Sequence, residues 1–176
     1  MTMGGFSLYT AIVPSYSQVL RSVAGLLGKA EAHCAEKGIA PEELIQARLA
    51  PDMLPFAYQI KATTSHSLGA IEAVRKGVFA PDRSPPPEDF PALHARIADA
   101  LTALEALDPA EINDFVGRDL RFSVGERHTD FTAENFLLSF SQPNFYFHAS
   151  TAYGILRLKG LEIGKRDFIG RPRSKT

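Results

Sequence analysis

The fold turns on RDLRFSVGERHTDFTAENFLLSFSQPNFYFHASTAYGILRLKG, residues 118–160, because the hydrophobic period changes inside it. At its start Leu120, Phe122 and Val124 alternate with Arg121 and Ser123, the period of a half-buried strand, and Gly125-Glu126 supplies a two-residue turn. The spacing predicts a β-hairpin of residues 118–124 and 127–131. Thr132 then stands as an N-cap with Glu134 in the first turn, where negative charge is favoured, and a helix is predicted to run to Lys159 and stop at Gly160. On that helix Leu137, Phe140, Ala152 and Ile155 surround one direction, and Asn144 and His148 point to its centre. Ser139, Tyr146, Ser150 and Arg157 lie opposite. Pro143 lacks the N–H that the carbonyl of Ser139 needs, which predicts a kink and extra space beside the polar pair.

Working outward, three more helical patterns precede the hairpin. The first covers residues 7–37 along Ile12, Tyr16, Val19, Val23, Leu27 and Ala30 and stops at Gly38, a natural left-handed C-cap; Pro14 kinks it or marks its true first turn. A short turn begins at Pro41. The second long helix is predicted to have Pro51 near its start and to run unbroken to Gly77, with Met53, Phe56, Ile60, Thr63, Ser67, Ile71 and Val74 on one face. Asp52 then serves its first turn or pairs with Arg48. After the proline-rich loop FAPDRSPPPEDFP, a third helix is predicted over 91–107 from Leu93, Ile97, Leu101 and Leu104. The expected fold is mainly α: a four-helix bundle (residues 1–170) with a small β-hairpin inserted before the last helix, and a basic tail at 171–176.

Composition narrows the function classes. The chain has 176 residues, 45% of them apolar and 22% charged, enough for one domain with a sizeable core. A net charge of −1 offers no global field for nucleic acid or an anionic membrane, and neither is expected as a partner. No apolar run reaches membrane-span length and the N-terminus has no signal-like h-region, so the expected location is the cytoplasm. The single Cys34 continues the apolar stripe of the first helix, which reads as burial. No G-x-S-x-G turn is present, and the Gly-Lys of GLEIGKRD lacks phosphate-loop spacing.

Four segments, in order and spacing, resemble one family: ARLAPDM (47–53), PNFYFH (143–148), AYGILR (152–157) and IGKRDFIG (163–170). It is the family known as domain of unknown function 1993, within the DinB/YfiT-like superfamily. The resemblance spans nearly the whole chain, from about residue 7 to 170, and implies a DinB-like four-helix bundle, often a homodimer, with no known activity. In better understood relatives three histidines hold a divalent metal, often zinc or nickel, one on the second helix and two, four residues apart, on the fourth. Some of those relatives are metal-dependent thiol transferases or isomerases. Here the fourth-helix pair resembles Asn144 and His148, and the nearest second-helix position is Gln59, so the resemblance implies a metal set of His148, Asn144 and Gln59. One imidazole with two amides is a poor zinc site, since zinc favours imidazole, thiolate or carboxylate.

The residues thus leave His148 as a metal ligand or as an interior histidine satisfied by Asn144, Gln59, Thr63 or water. A small polar pocket between the second and fourth helices is expected, lined by Gln59, Thr63, Asn144 and His148, with Tyr58 and Thr151 beside them, and open to a small-molecule ligand. Gln59 and His66 fall near the polar edge of the second helix, which reads as a solvated edge; His33 and His94 lie beside apolar stripes and His128 on the hairpin. Three functions follow: a ligand-binding bundle, a metal-dependent thiol transferase, or a non-catalytic structural protein whose tail pairs chains.

Overall fold

Capping chemistry sets the first helix. In the computed structural model, which describes residues 6–175, α1 (Leu8–Lys37) starts at Ser7, whose hydroxyl accepts from the Thr10 N–H while the Thr10 hydroxyl accepts from the Ser7 N–H. It ends at Gly38, held at φ 64°, a conformation that favours glycine. Pro14 lies inside this helix, nearly two turns past its start, where it removes the N–H that would bond the Thr10 carbonyl without ending the helix. A short α2 (Pro41–Ile45) follows.

The second helix differs from expectation in two ways. It begins at Phe56, not near Pro51, because Pro55 occupies the N-cap and residues 51–54 form a turn in which Arg48 donates to the carbonyl of Met53 at 2.5 Å. Asp52 therefore does not serve its first turn. The helix also breaks, into α3 (Phe56–Ser65) and α4 (Leu68–Lys76), at Ser67, whose φ −113° and ψ −92° leave the helical region. The buried Ser67 hydroxyl donates back to the carbonyl of Thr63 at 2.7 Å, the local competition that makes serine a weak helix former.

Val78 and Phe79 form a short strand β1 that the sequence reading missed. The third long helix, α5 (Phe90–Glu105), is capped by Asp89, whose carboxylate accepts from the Ala92 N–H at 2.7 Å. After α6 (Pro109–Asn113) comes the hairpin of β2 (Asp119–Val124) and β3 (Arg127–Thr132), in the expected register with Val124 opposite Arg127 around Gly125-Glu126. β1 adds to it in parallel, Phe79 beside Phe122, so the hairpin is two strands of a three-stranded sheet.

The last helix is composite: a turn, α7 (Ala133–Asn135); a π-helical segment, π1 (Phe136–Ser141); and α8 (Gln142–Leu158). Thr132 stands at its N-cap without a side-chain capping bond. The Gln142 N–H reaches the carbonyl of Leu137, five residues back, just before Pro143. The wider turn is how this helix absorbs a proline that has no N–H to give. A short α9 (Lys165–Ile169) then lies on α1.

α1, α3–α4, α5 and α8 thus form a four-helix bundle, with α3 packed on α8 and α1 on α5. Its core runs from Ile12, Tyr16 and Leu27 to Phe56, Leu93, Phe145 and Ile155, all at 1% exposure or less. Cys34 is buried at the end of the same stripe, and burial, with Glu43 and Glu31 nearby, pushes its thiol pKa up. No helix among the described residues is long and apolar enough to cross a membrane.

Candidate ligand pocket between the second and fourth helices

Both irregular helices lose their regular geometry at the same level of the bundle. His66 closes α3 at the break, Ser141 ends π1, and the two are joined: the Ser141 hydroxyl donates to the His66 carbonyl at 3.0 Å. Ser141 is fully buried, and its single proton is used in that bond. The contact of 3.3 Å between Ser141 Oγ and His66 Nδ1 therefore requires the ring to carry its proton on Nδ1 and donate.

His148 is fixed by the same logic. The buried Gln59 donates through Nε2 to the carbonyl of Leu54 at 2.8 Å, which turns its Oε1 to His148 Nδ1 at 2.7 Å. An amide oxygen only accepts, so His148 also carries its proton on Nδ1. Each ring is left with an unprotonated Nε2. Burial lowers both pKa values to about 4, with the nearby His148 adding to the shift of His66, so both rings are neutral at pH 7. The two imidazoles lie 5.7 Å apart at 15°.

They face a cavity of about 210 Å³ in which aromatic rings share the wall with Lys61, Ser65, Asp82 and Asn144. Tyr58 approaches His148 edge-on, and Phe79 and Phe140 flank His66. Phe122 from the sheet closes the side, 4.9 Å from Phe140. Asn144 also lines the cavity; its Nδ2 donates to the carbonyl of Phe140 at 2.7 Å, a contact that spans Pro143.

Of the residues named from sequence, the structure brings Tyr58, Asn144 and His148 to this cavity. Gln59 sits behind it, as the partner that orients His148. Thr63 and Thr151 are buried outside its lining, and the Thr63 hydroxyl is spent on the carbonyl of Ile60 at 2.7 Å. The solvated edge expected for Gln59 and His66 is not there: Gln59 is 2% exposed and His66 is half-buried in the cavity wall. His94 is elsewhere, 3.3 Å from Glu31. His128 is exposed on β3.

Lys61 was unmarked in the sequence. It is 2% exposed, and its ammonium donates to the carbonyls of Asp82 and Ser84 at 3.1 and 2.5 Å and to the Ser84 hydroxyl at 2.9 Å, with the Asp82 carboxylate at 3.0 Å. The Asp82 pKa falls to about 2: burial alone would raise it, but the Ser84 hydrogen bonds and the Lys61 ammonium prevail. The pair holds the proline-rich loop against the cavity, which Pro81 and Asp82 help to line.

The donor set does not fit a three-histidine metal site. Gln59 has both amide atoms engaged, and the remaining donors are two imidazoles and the Asn144 amide oxygen. Among the described residues no group of three or more His, Cys, Asp or Glu is placed to hold a metal ion.

The frame and the position of the polar pair define a DinB-like bundle. A crystal structure of a DinB family member protein from Shewanella denitrificans matches with a TM-score of 0.80 at 28% identity, covering 96% of this chain and 95% of that one. The chain belongs to the DUF1993 family, a domain of unknown function whose profile matches residues 8–169. No curated protein matches the sequence.

Proposed function

We propose that this protein binds a small, planar, hydrogen-bond-donating molecule between its second and fourth helices, and does so as a cytoplasmic homodimer. One observation carries the reading: two neutral histidines, each pinned through Nδ1, leave bare Nε2 acceptors in a cavity walled partly by aromatic rings. Acceptors in a partly buried site favour a ligand that brings N–H or O–H groups, because an apolar ligand would leave them unpaired. The cavity, about 210 Å³, is below the roughly 300–1,000 Å³ typical of drug-sized ligands, so a single ring is the matching size.

Support for the dimer comes from one stripe of α8. Phe147 and Leu158 are 56% and 61% exposed, with Ser150 and Gly154 between them at helical spacing, and exposed Leu49 lies against Gly154. A single buried thiol suits a reducing compartment.

Phenol and anisole, matched in ring and differing in the donor, test the pocket by ligand-observed NMR. Phenol is expected to bind saturably and anisole far more weakly, and His148→Phe is expected to abolish the phenol signal. Equal binding of the two, or a His148→Asn variant unchanged in both stability and binding, would overturn the reading. A divalent metal retained at unit stoichiometry after chelator-free purification would instead favour a metal-dependent transferase. Light scattering with Phe147→Glu tests the dimer, which should become a monomer.

A further inference from the structure

A second concavity, of about 690 Å³, lies on the far side of the bundle, where α1, α5 and α9 meet the C-terminal segment. We infer that it binds a small amphipathic anion, a molecule with a phosphate or carboxylate head and an apolar body. The inference stands apart from the histidine pocket and shares no residue with it.

Charge is the first argument. Five basic residues, Arg21, Lys29, Arg166, Arg171 and Arg173, border the concavity against two acidic ones, Glu105 and Asp167. Both acids are already matched, Glu105 to Arg21 and Asp167 to Lys29, each at 2.5 Å. Arg166 and Arg171 have no acidic partner among the described residues. A basic concavity within a chain of net charge −1 is a local asymmetry, and guanidinium groups bind phosphate and carboxylate through paired N–H donors.

Shape is the second. The floor is apolar, from Val13, Pro14, Leu26 and Leu104, and Gly25 opens it further: a Cβ added there meets nothing within 4 Å. The volume falls within the range of about 300–1,000 Å³ of small-molecule sites.

Preorganisation is the third. The C-terminal segment forming the outer wall is fastened to α1. Gln18 donates to the carbonyl of Ile169 at 2.9 Å, and Arg173 donates to Gln18 Oε1 at 2.9 Å and to Ser15 Oγ at 3.1 Å. Gly170, at φ 67°, lets that wall come close, since a Cβ there would stand 2.4 Å from the Ser22 hydroxyl. The basic side chains are thus carried on a held backbone, which lowers the entropic cost of binding.

Calorimetric titration of the full chain with decyl phosphate below its micellar concentration tests the inference. Saturable one-to-one binding is expected, at least tenfold weaker in the double variant Arg166→Gln/Arg171→Gln and weaker at high salt. Gly25→Leu should also weaken it by filling the floor, and because it replaces a helical glycine it should not impair folding. His148→Asn should leave it unchanged, which separates this site from the pocket. Equal binding of decyltrimethylammonium, equal binding of inorganic phosphate, or indifference to the arginine and Gly25 variants would overturn it. So would binding only to phosphatidylglycerol vesicles, or only to an acidic peptide, with no response to the monomeric amphiphile.

Discussion

The two halves of the bundle are built differently. α1 and α5 are continuous α-helices, side-chain-capped at their starts, and bury mainly aliphatic and alanine side chains, with Tyr16 and Phe90 the aromatic exceptions. The opposite half breaks at Ser67, widens into a π turn at Phe136–Ser141, and packs through phenylalanines, with Phe136 5.2 Å from Phe79 and 5.5 Å from Phe140. The two departures are not scattered, since the Ser141–His66 bonds link them. Departure from local preference is costly unless the surroundings hold it, and it concentrates where a site is built.

Truncating each core gives the sharpest contrast. Leu27→Ala and Phe136→Ala both remove fully buried side chains and should cost about 2–5 and about 3–5 kcal/mol in urea unfolding. Only Phe136→Ala should also perturb the imidazole NMR signals of His66 and His148. If Leu27→Ala perturbs them equally, the two halves are not separable.

Acid should act on the irregular half next. The histidine pKa values fall from 6.5 to about 4 on folding, so between those values the unfolded chain binds more protons than the folded one. Their contribution is full above about pH 6.5 and declines as pH falls, by about 1.4 kcal/mol per pH unit for each histidine, until about pH 4. Asp82 acts later, its contribution being present above about pH 4 and lost toward its folded value of about 2. Denaturant melts of wild type and His148→Asn at pH 7 and 5 should show a smaller pH loss in the variant; identical losses would contradict the burial of that ring.

Ser141→Ala removes the group that joins the two irregularities, leaving the His66 carbonyl and Nδ1–H without that partner. A loss of about 1–3 kcal/mol is expected, with faster amide exchange around residue 67. Exchange unchanged there would mean the serine does not hold the break. Smallest is Arg75→Gln, which removes a partly exposed, two-pronged pair with Glu111 and a contact to Glu72 and should shift stability by about 0.5–1 kcal/mol, less in high salt.

Much of the frame was legible because its signals are local. Ser7 and Gly38 bracket α1, and alternation around Gly125-Glu126 marks the hairpin. The break at Ser67 was hidden because Ile60, Ile71 and Val74 keep one period across it. β1 has two residues, too few for a period, and exists only through its pairing with β2. The true start of α3 was obscured because Pro51 and Pro55 both suit a helix entrance, and only the tertiary turn at 51–54 selects the second.

The site was partly legible for the same reasons. Asn144 and His148 share a face within α8, beyond the π turn, so their common direction does not depend on the period that the π turn interrupts. His66 was misread because the face it shares with Tyr58 and Ala62 looks polar in sequence, whereas α3 turns that face toward α8 and the cavity. Lys61 was illegible because a helical lysine reads as solvated, and its partners are a carboxylate, a hydroxyl and two carbonyls some twenty residues on.

That lysine has a mechanical consequence. Among the described residues, Lys61 makes every direct hydrogen bond between the bundle and residues 80–88, and only Arg96, 3.9 Å from Asp82, adds a longer-range attraction. Three consecutive prolines stiffen the loop beyond that point. Pro81 and Asp82 belong both to the loop and to the cavity wall, so the Lys61 contacts that fasten the loop to the bundle also fix that side of the cavity.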